Sequence, residues 1–155
     1  MFRQTVTVSL LAATSLALAH HGWSSFDEAR PVYLEGVVKE VKWQNPHAEL
    51  MLDLPADYKV PADLASRTVP AQSAPVDGKA LLARAVAPSR KDRRWEIELA
   101  PLTRMEAWKV APVKVGATVG VLGFTFKEEK GQAILRAEYL FVDGQAYGLR
   151  SSPAS

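Results

Sequence analysis

The chain contains no cysteine, so disulfides, thiolate metal sites, cysteine nucleophiles and a lipid-modified N-terminal cysteine are excluded. Histidine is scarce. The three present, His20, His21 and His47, all fall in the first third of 155 residues. Neither sign of charge dominates: 19 Lys and Arg stand against 17 Asp and Glu, a formal net charge of +2. That balance excludes a strongly polybasic nucleic-acid binder. Long apolar runs are also missing. The apolar or small-residue stretch Thr5 to Leu18 is shorter than the roughly 20 residues of a membrane-spanning helix. No G-x-S-x-G elbow, H-E-x-x-H pair, P-loop or dinucleotide-binding glycine pattern occurs, which removes the commonest signatures of hydrolases, metalloproteases and nucleotide enzymes. What the chain does have is 48% hydrophobic residues against 23% charged, enough to bury one core.

The N-terminus reads as a targeting segment. Arg3 supplies the positive start, an uncharged stretch follows, and Ala17-Leu18-Ala19 forms a small-residue cleavage site. This layout predicts a signal peptide over residues 1–19, cleaved after Ala19, and export to the periplasm or beyond as a secreted protein. The mature chain would then begin His20-His21-Gly22-Trp23, with a free α-amine on His20. Cleavage would remove Arg3 and leave the protein within one charge of neutrality.

The rest reads as a single domain over 20–150. Val32 to Trp43 is rich in β-branched residues, with Val37, Lys39, Val41 and Trp43 alternating. Gln44-Asn45-Pro46 marks a turn. Ala48, Leu50, Leu52 and Leu54 then form one apolar strand face, and His47, Glu49, Met51 and Asp53 form the other. Residues 55–93 change texture: half of the ten prolines lie there and periodicity is weak, which predicts an insertion or lid with a short helix near Lys79 to Val86. Arg90-Lys91-Asp92-Arg93-Arg94 reads as a solvated basic loop, with an anion site as the alternative. Trp95, Ile97 and Leu99 alternate as a third strand, and Glu96 and Glu98 share its solvated face. Leu102, Met105 and Trp108 recur at helical spacing. Thr118–Phe126 and Ala133–Val142 are further strands, separated by a turn at Glu128-Glu129-Lys130-Gly131, and Asp143-Gly144 makes another turn. Residues 151–155 read as a frayed tail. The order β-β-β-α-β-β predicts an all-β fold with one short helix, an OB-fold-like five-stranded Greek-key barrel. A two-sheet sandwich would need more strands.

Several segments carry a family likeness: His20-His21-Gly22-Trp23, Glu35-Gly36-Val37-Val38, Trp43-Gln44-Asn45-Pro46-His47, Trp95 to Leu99, Arg104 to Trp108, and Gly116 to Gly123. In this order they resemble the small secreted bacterial proteins of the domain-of-unknown-function family numbered sixty-one fifty-two. The resemblance covers most of the mature chain except 55–93. It implies an exported, barrel-like protein and supplies no activity.

The remaining chemistry rests on the histidines. A histidine at a free N-terminus binds metal through its amine and its ring together, and a second histidine completes a T-shaped brace. Nitrogen donors in such a plane suit Cu(II). His20 is the natural first residue and His47, after its proline turn, the natural partner. His21 is a third ligand or an orienting neighbour. Glu49 and Met51 are reserve ligands on the face of His47. The expectation is a periplasmic copper binder acting as carrier or sensor rather than an enzyme, a copper oxidoreductase ranking third. The alternative is a metal-free binding module for a small molecule, glycan or partner protein, with Trp23, Trp43, Trp95 and Trp108 either stacking ligands or filling the core. The expected partners are a metal ion or small ligand, with no nucleic acid and no membrane span in the mature protein.

Overall fold

A computed structural model describes residues 22–155. The strands are β1 (Val32–Lys42), β2 (Glu49–Asp53), β3 (Arg94–Glu98), β4 (Thr118–Thr125), β5 (Ile134–Val142) and β6 (Gln145–Gly148), and the helices are α1 (Gly78–Arg84) and α2 (Leu102–Ala107). Five strands close a barrel. β1 pairs antiparallel with β2 and β4, β2 with β3, and β4 with β5. A short parallel pairing of β3 with β5 seals it. With α2 between β3 and β4, this is the OB-like barrel expected from the strand pattern. The expected strands lie within about two residues of the observed ones. β6 is the addition: Asp143 and Gly144 both take positive φ, and the resulting tight turn sends the chain back along β5.

β1 serves two neighbours because it is long and coiled. Its first half, Val32 to Val37, pairs with β4, and its second half pairs with β2 across an irregularity between Val38 and Glu40. Gly36 sits where β1 crosses the end of β2. A Cβ there would lie 2.2 Å from the Asp53 carbonyl oxygen.

Strand alternation explains the interior. Leu34, Val38, Leu50, Leu52, Trp95, Ile97, Val121 and Leu135 point inward and are buried, and Met105 of α2 plugs one end. β4 is buried on both faces. Its outer face joins a second cluster in which Tyr33, Leu122, Phe124 and Tyr139 pack against Phe26 and against Leu64, Leu81 and Leu82 of the 55–93 segment. That segment lies on the outside of β1, β4 and β5. Its bonds include Tyr33 N–H to the Val86 carbonyl and Leu54 N–H to the Arg93 carbonyl. Residues after Leu149 run beside it, with Ser73 N–H donating to Ser152 O and Ala154 N–H to Ala71 O. Among the described residues, no helix is long and apolar enough to cross a membrane. The expected signal peptide over residues 1–19, together with His20 and His21, lies outside the described residues.

Candidate functional site

His47 leaves the Asn45-Pro46 turn just before β2. The turn is pinned to α2, because the Asn45 side-chain oxygen accepts the Leu102 N–H at 3.0 Å. Four charged residues then line up across four strands on the outer face: Lys42 of β1, Glu49 of β2, Glu98 of β3 and Arg136 of β5. The His47 ring hangs over this row. Its Nδ1 lies 3.7 Å from Glu49 Oε1 and its Nε2 lies 3.8 Å from Glu98 Oε1, with 15% of the side chain exposed. Both distances are longer than a hydrogen bond and within ion-pair range, so the ring stands between two carboxylates.

Glu98 is the least expected member. It was read as part of a solvated strand face, and it is buried. The reason is cover from a neighbouring strand: Arg136 Nε and Nη2 both donate to Glu98 Oε2, at 2.9 and 2.5 Å. Its other oxygen is left facing His47.

Above Arg136 lies the N-terminal strap. Trp23 starts a single 3₁₀ turn, and Phe26 then pairs with Phe126 and is buried. Two guanidiniums lie over the Trp23 ring. Arg150 sits 3.5 Å from its centroid and Arg136 sits 5.2 Å away. Each guanidinium is tied to a buried carboxylate. Arg136 is tied to Glu98. Arg150 donates to Glu138 at 2.9 Å and also pairs with Glu28. Glu138 is wholly buried and also accepts from Gln72 Nε2 at 3.2 Å. Burial pushes the Glu138 carboxyl up from its ordinary value, against the opposing pull of Arg150. Trp23, His47, Arg104, Arg136 and Arg150 together line a cleft of about 360 Å³. Arg104 is spent on the Leu149 carbonyl at 3.1 Å.

The geometry brings Glu49 to 3.7 Å from the His47 ring. Glu49 and Met51 both line a different hollow, with Glu40, Lys42 and Glu96. Among the described residues, no three metal-ligating side chains gather into one site. The tryptophans divide. Trp95 is wholly buried, Trp43 and Trp108 pack against the barrel core, and only Trp23 joins the cleft. The basic run is structural. Arg90 donates to the Glu129 and Gly131 carbonyls, Arg93 to the Leu54 carbonyl, and Arg94 pairs with Asp53. Sequence reasoning passed over Glu98, Arg136 and Arg150. One signal was available: Arg136 and Glu138 interrupt the otherwise apolar β5, and charges in such a strand are kept only when paired.

No curated protein and no solved structure matches the chain. Residues 8–61, a stretch that contains all three histidines, match the model of a family of unknown function (DUF6152), and this match supports the chain's membership of that family.

Proposed function

We propose that this is an exported, periplasmic protein that binds Cu(II) through a histidine brace and acts as a carrier or sensor. The α-amine and ring of His20 supply two nitrogens, His47 supplies the third, and His21 ligates or orients. The observation that supports the reading is that Trp23 and His47 line one cleft. His20 precedes Trp23 by three residues, and three Cα–Cα steps of 3.8 Å keep it within about 11 Å of that anchor. Cleavage after Ala19 would therefore free an amine within reach of His47.

The test is a Cu(II) titration of correctly processed protein against a version with one residue added before His20. The extension turns the amine into an amide, a far weaker donor. Binding is expected to fall strongly with the extension, with His20→Ala and with His47→Ala, and less with His21→Ala. It should fade in acid, because the ligand nitrogens must lose their protons, with free imidazole and amine values of about 6.5 and 8. Equal Cu(II) affinity in the extended and processed proteins would overturn the brace.

A further inference from the structure

A second, metal-independent feature lies on the other side of β1. Across three strands, Glu35 of β1, Gly120 of β4 and Phe141 of β5 occupy one row. At about 4.8 Å per strand, the missing side chain at Gly120 leaves a slot between a carboxylate wall and a phenyl wall. Tyr33 fills the bottom of that slot. A Cβ on Gly120 would fall 2.0 Å from the Tyr33 hydroxyl, so glycine is what lets the phenol lie there. The phenol is fixed on both sides: it donates to Glu35 Oε2 at 2.7 Å and accepts from Arg67 Nη1 at 2.8 Å. Burial and the neighbouring Glu35 push its ionisation well above the usual tyrosine value, so it stays a neutral donor. Above this floor opens a groove of about 710 Å³, bounded also by the Asp143-Gly144 turn and by Gln145.

The charges decide what such a groove takes. Arg67 is a poor anion receptor, because its Nε and Nη2 bind Asp63 at 3.0 and 3.2 Å and its Nη1 binds Tyr33. An organic cation at these rings would meet the like charge of the Arg67 guanidinium, which lies 5.6 Å from the Tyr33 ring centroid and 6.0 Å from that of Phe141, whereas a neutral ligand would not be repelled. What remains is Glu35 Oε1, which receives no hydrogen bond from the described residues, the exposed Asp143 carboxylate as a second acceptor, the Gln145 amide, the Thr118 hydroxyl, and the part of the Phe141 ring left exposed. These are two acceptors, adaptable polar groups and a flat apolar wall. They match a neutral ligand that offers hydroxyl donors on one side and C–H groups on the other.

We propose that the groove between Glu35 and Phe141 binds a neutral sugar chain, with Glu35 accepting from ring hydroxyls and Phe141 packing on a sugar face. This does not rest on the copper reading. The groove is open rather than closed, which suits a chain segment more than an enclosed monosaccharide.

The test is an amide-resolved NMR titration of the full chain with two neutral trisaccharides, maltotriose and chitotriose. Trigalacturonate and the deacetylated chitosan trimer serve as anionic and cationic counterparts. At least one neutral trisaccharide is expected to shift the amides of Gly120, Phe141 and Gly144 with a Kd on the order of 1 mM. Glu35→Gln should weaken that binding about tenfold, the scale of a lost hydrogen bond to a charged acceptor. Should Glu35→Gln fail to fold, Phe141→Leu, which keeps apolar bulk and removes the ring, must weaken binding instead. The proposal is overturned if neither neutral trisaccharide shifts those amides, if the shifts fall elsewhere, if a charged trisaccharide binds more tightly, or if the folded variants bind as wild type does.

Discussion

The Glu98–Arg136 pair offers the sharpest energetic test, because it is buried and holds the residue beside His47. The two side chains are only 5% and 14% exposed, and their shorter contact is 2.5 Å. Removing one partner of a buried pair costs about 3–5 kcal/mol, mostly because the other charge is left without compensation. The two single variants should differ. In Glu98→Leu the guanidinium keeps the ring faces of Trp23 and Phe26, at 5.2 and 5.0 Å. Each is worth about 0.5–1 kcal/mol, so the loss should settle near 2–4 kcal/mol. Arg136→Met strands the Glu98 carboxylate and removes both ring contacts, so it should reach the full ~3–5 kcal/mol. The double variant removes both charges and should be no less stable than Arg136→Met alone. The coupling energy should therefore come out at about 2–4 kcal/mol. Urea unfolding followed by tryptophan fluorescence, with an unchanged m-value, measures all four proteins. A coupling below about 0.5 kcal/mol, the usual error of additivity, would refute the view that these charges are mutually dependent.

Three further outcomes follow from the same geometry. Gly36→Ala places a Cβ 2.2 Å from a backbone oxygen that cannot yield without opening β1 from β2. It should cost at least the ~1–3 kcal/mol typical of overpacking and lower Tm by several degrees in calorimetry; an unchanged Tm would contradict the close crossing. Glu138 has a raised native pKa, so between its unfolded value and that raised value the native state holds a proton that the unfolded chain has lost. Stability is then lost as pH rises through that window. The Glu138→Gln variant lacks this term, so its stability relative to wild type should improve as pH rises above the ordinary carboxyl value of about 4.3 in paired urea melts, and a pH-independent difference would count against it. Trp23→Ala should weaken Cu(II) binding about tenfold or more while Trp23→Phe largely restores it, as competition with a chromophoric chelator would show. Wild-type affinity in Trp23→Ala would detach the strap from the metal site.

The barrel was legible because its signals are local. Ala48, Leu50, Leu52 and Leu54 alternate cleanly, as do Trp95, Ile97 and Leu99, and both sets are buried. Long-range cover was not legible. β4 reads T-V-G-V-L-G-F-T with apolar residues on both faces, which implies that something lies outside the barrel there. The cover is Leu64, Leu81 and Leu82 from a stretch whose prolines hide its few apolar anchors. Glu98 shows the same limit at the site. On its own strand it sits in a period-2 pattern that suits water. Only the parallel pairing with β5, 38 residues away, brings Arg136 against it. His47 could be singled out by its rarity and its turn, whereas Trp23 could not be told from a core tryptophan until the two arginines closed on it.

The position of the cleft follows from how the barrel closes. β5 pairs with β3 only over Ile134 to Arg136 and then with β6 from Tyr139 onward. Between the two pairings the strand changes partner, and the Leu149 N–H bonds the Glu138 carbonyl to bridge the gap. A change of partner opens a seam that no continuous ladder covers, and side chains must close it. Arg136 and Glu138 stand on either side of this seam, and because they are charged their cover has to be polar as well as close-fitting. Trp23 meets that demand with an aromatic face for both arginines, while Glu98 and Glu138 take their charge. The same strap that shields the seam lines the cleft that holds His47, and this is the feature on which the proposed brace rests. The proposed brace therefore predicts that energetic damage to the seam and loss of Cu(II) affinity appear together in the Trp23 variants.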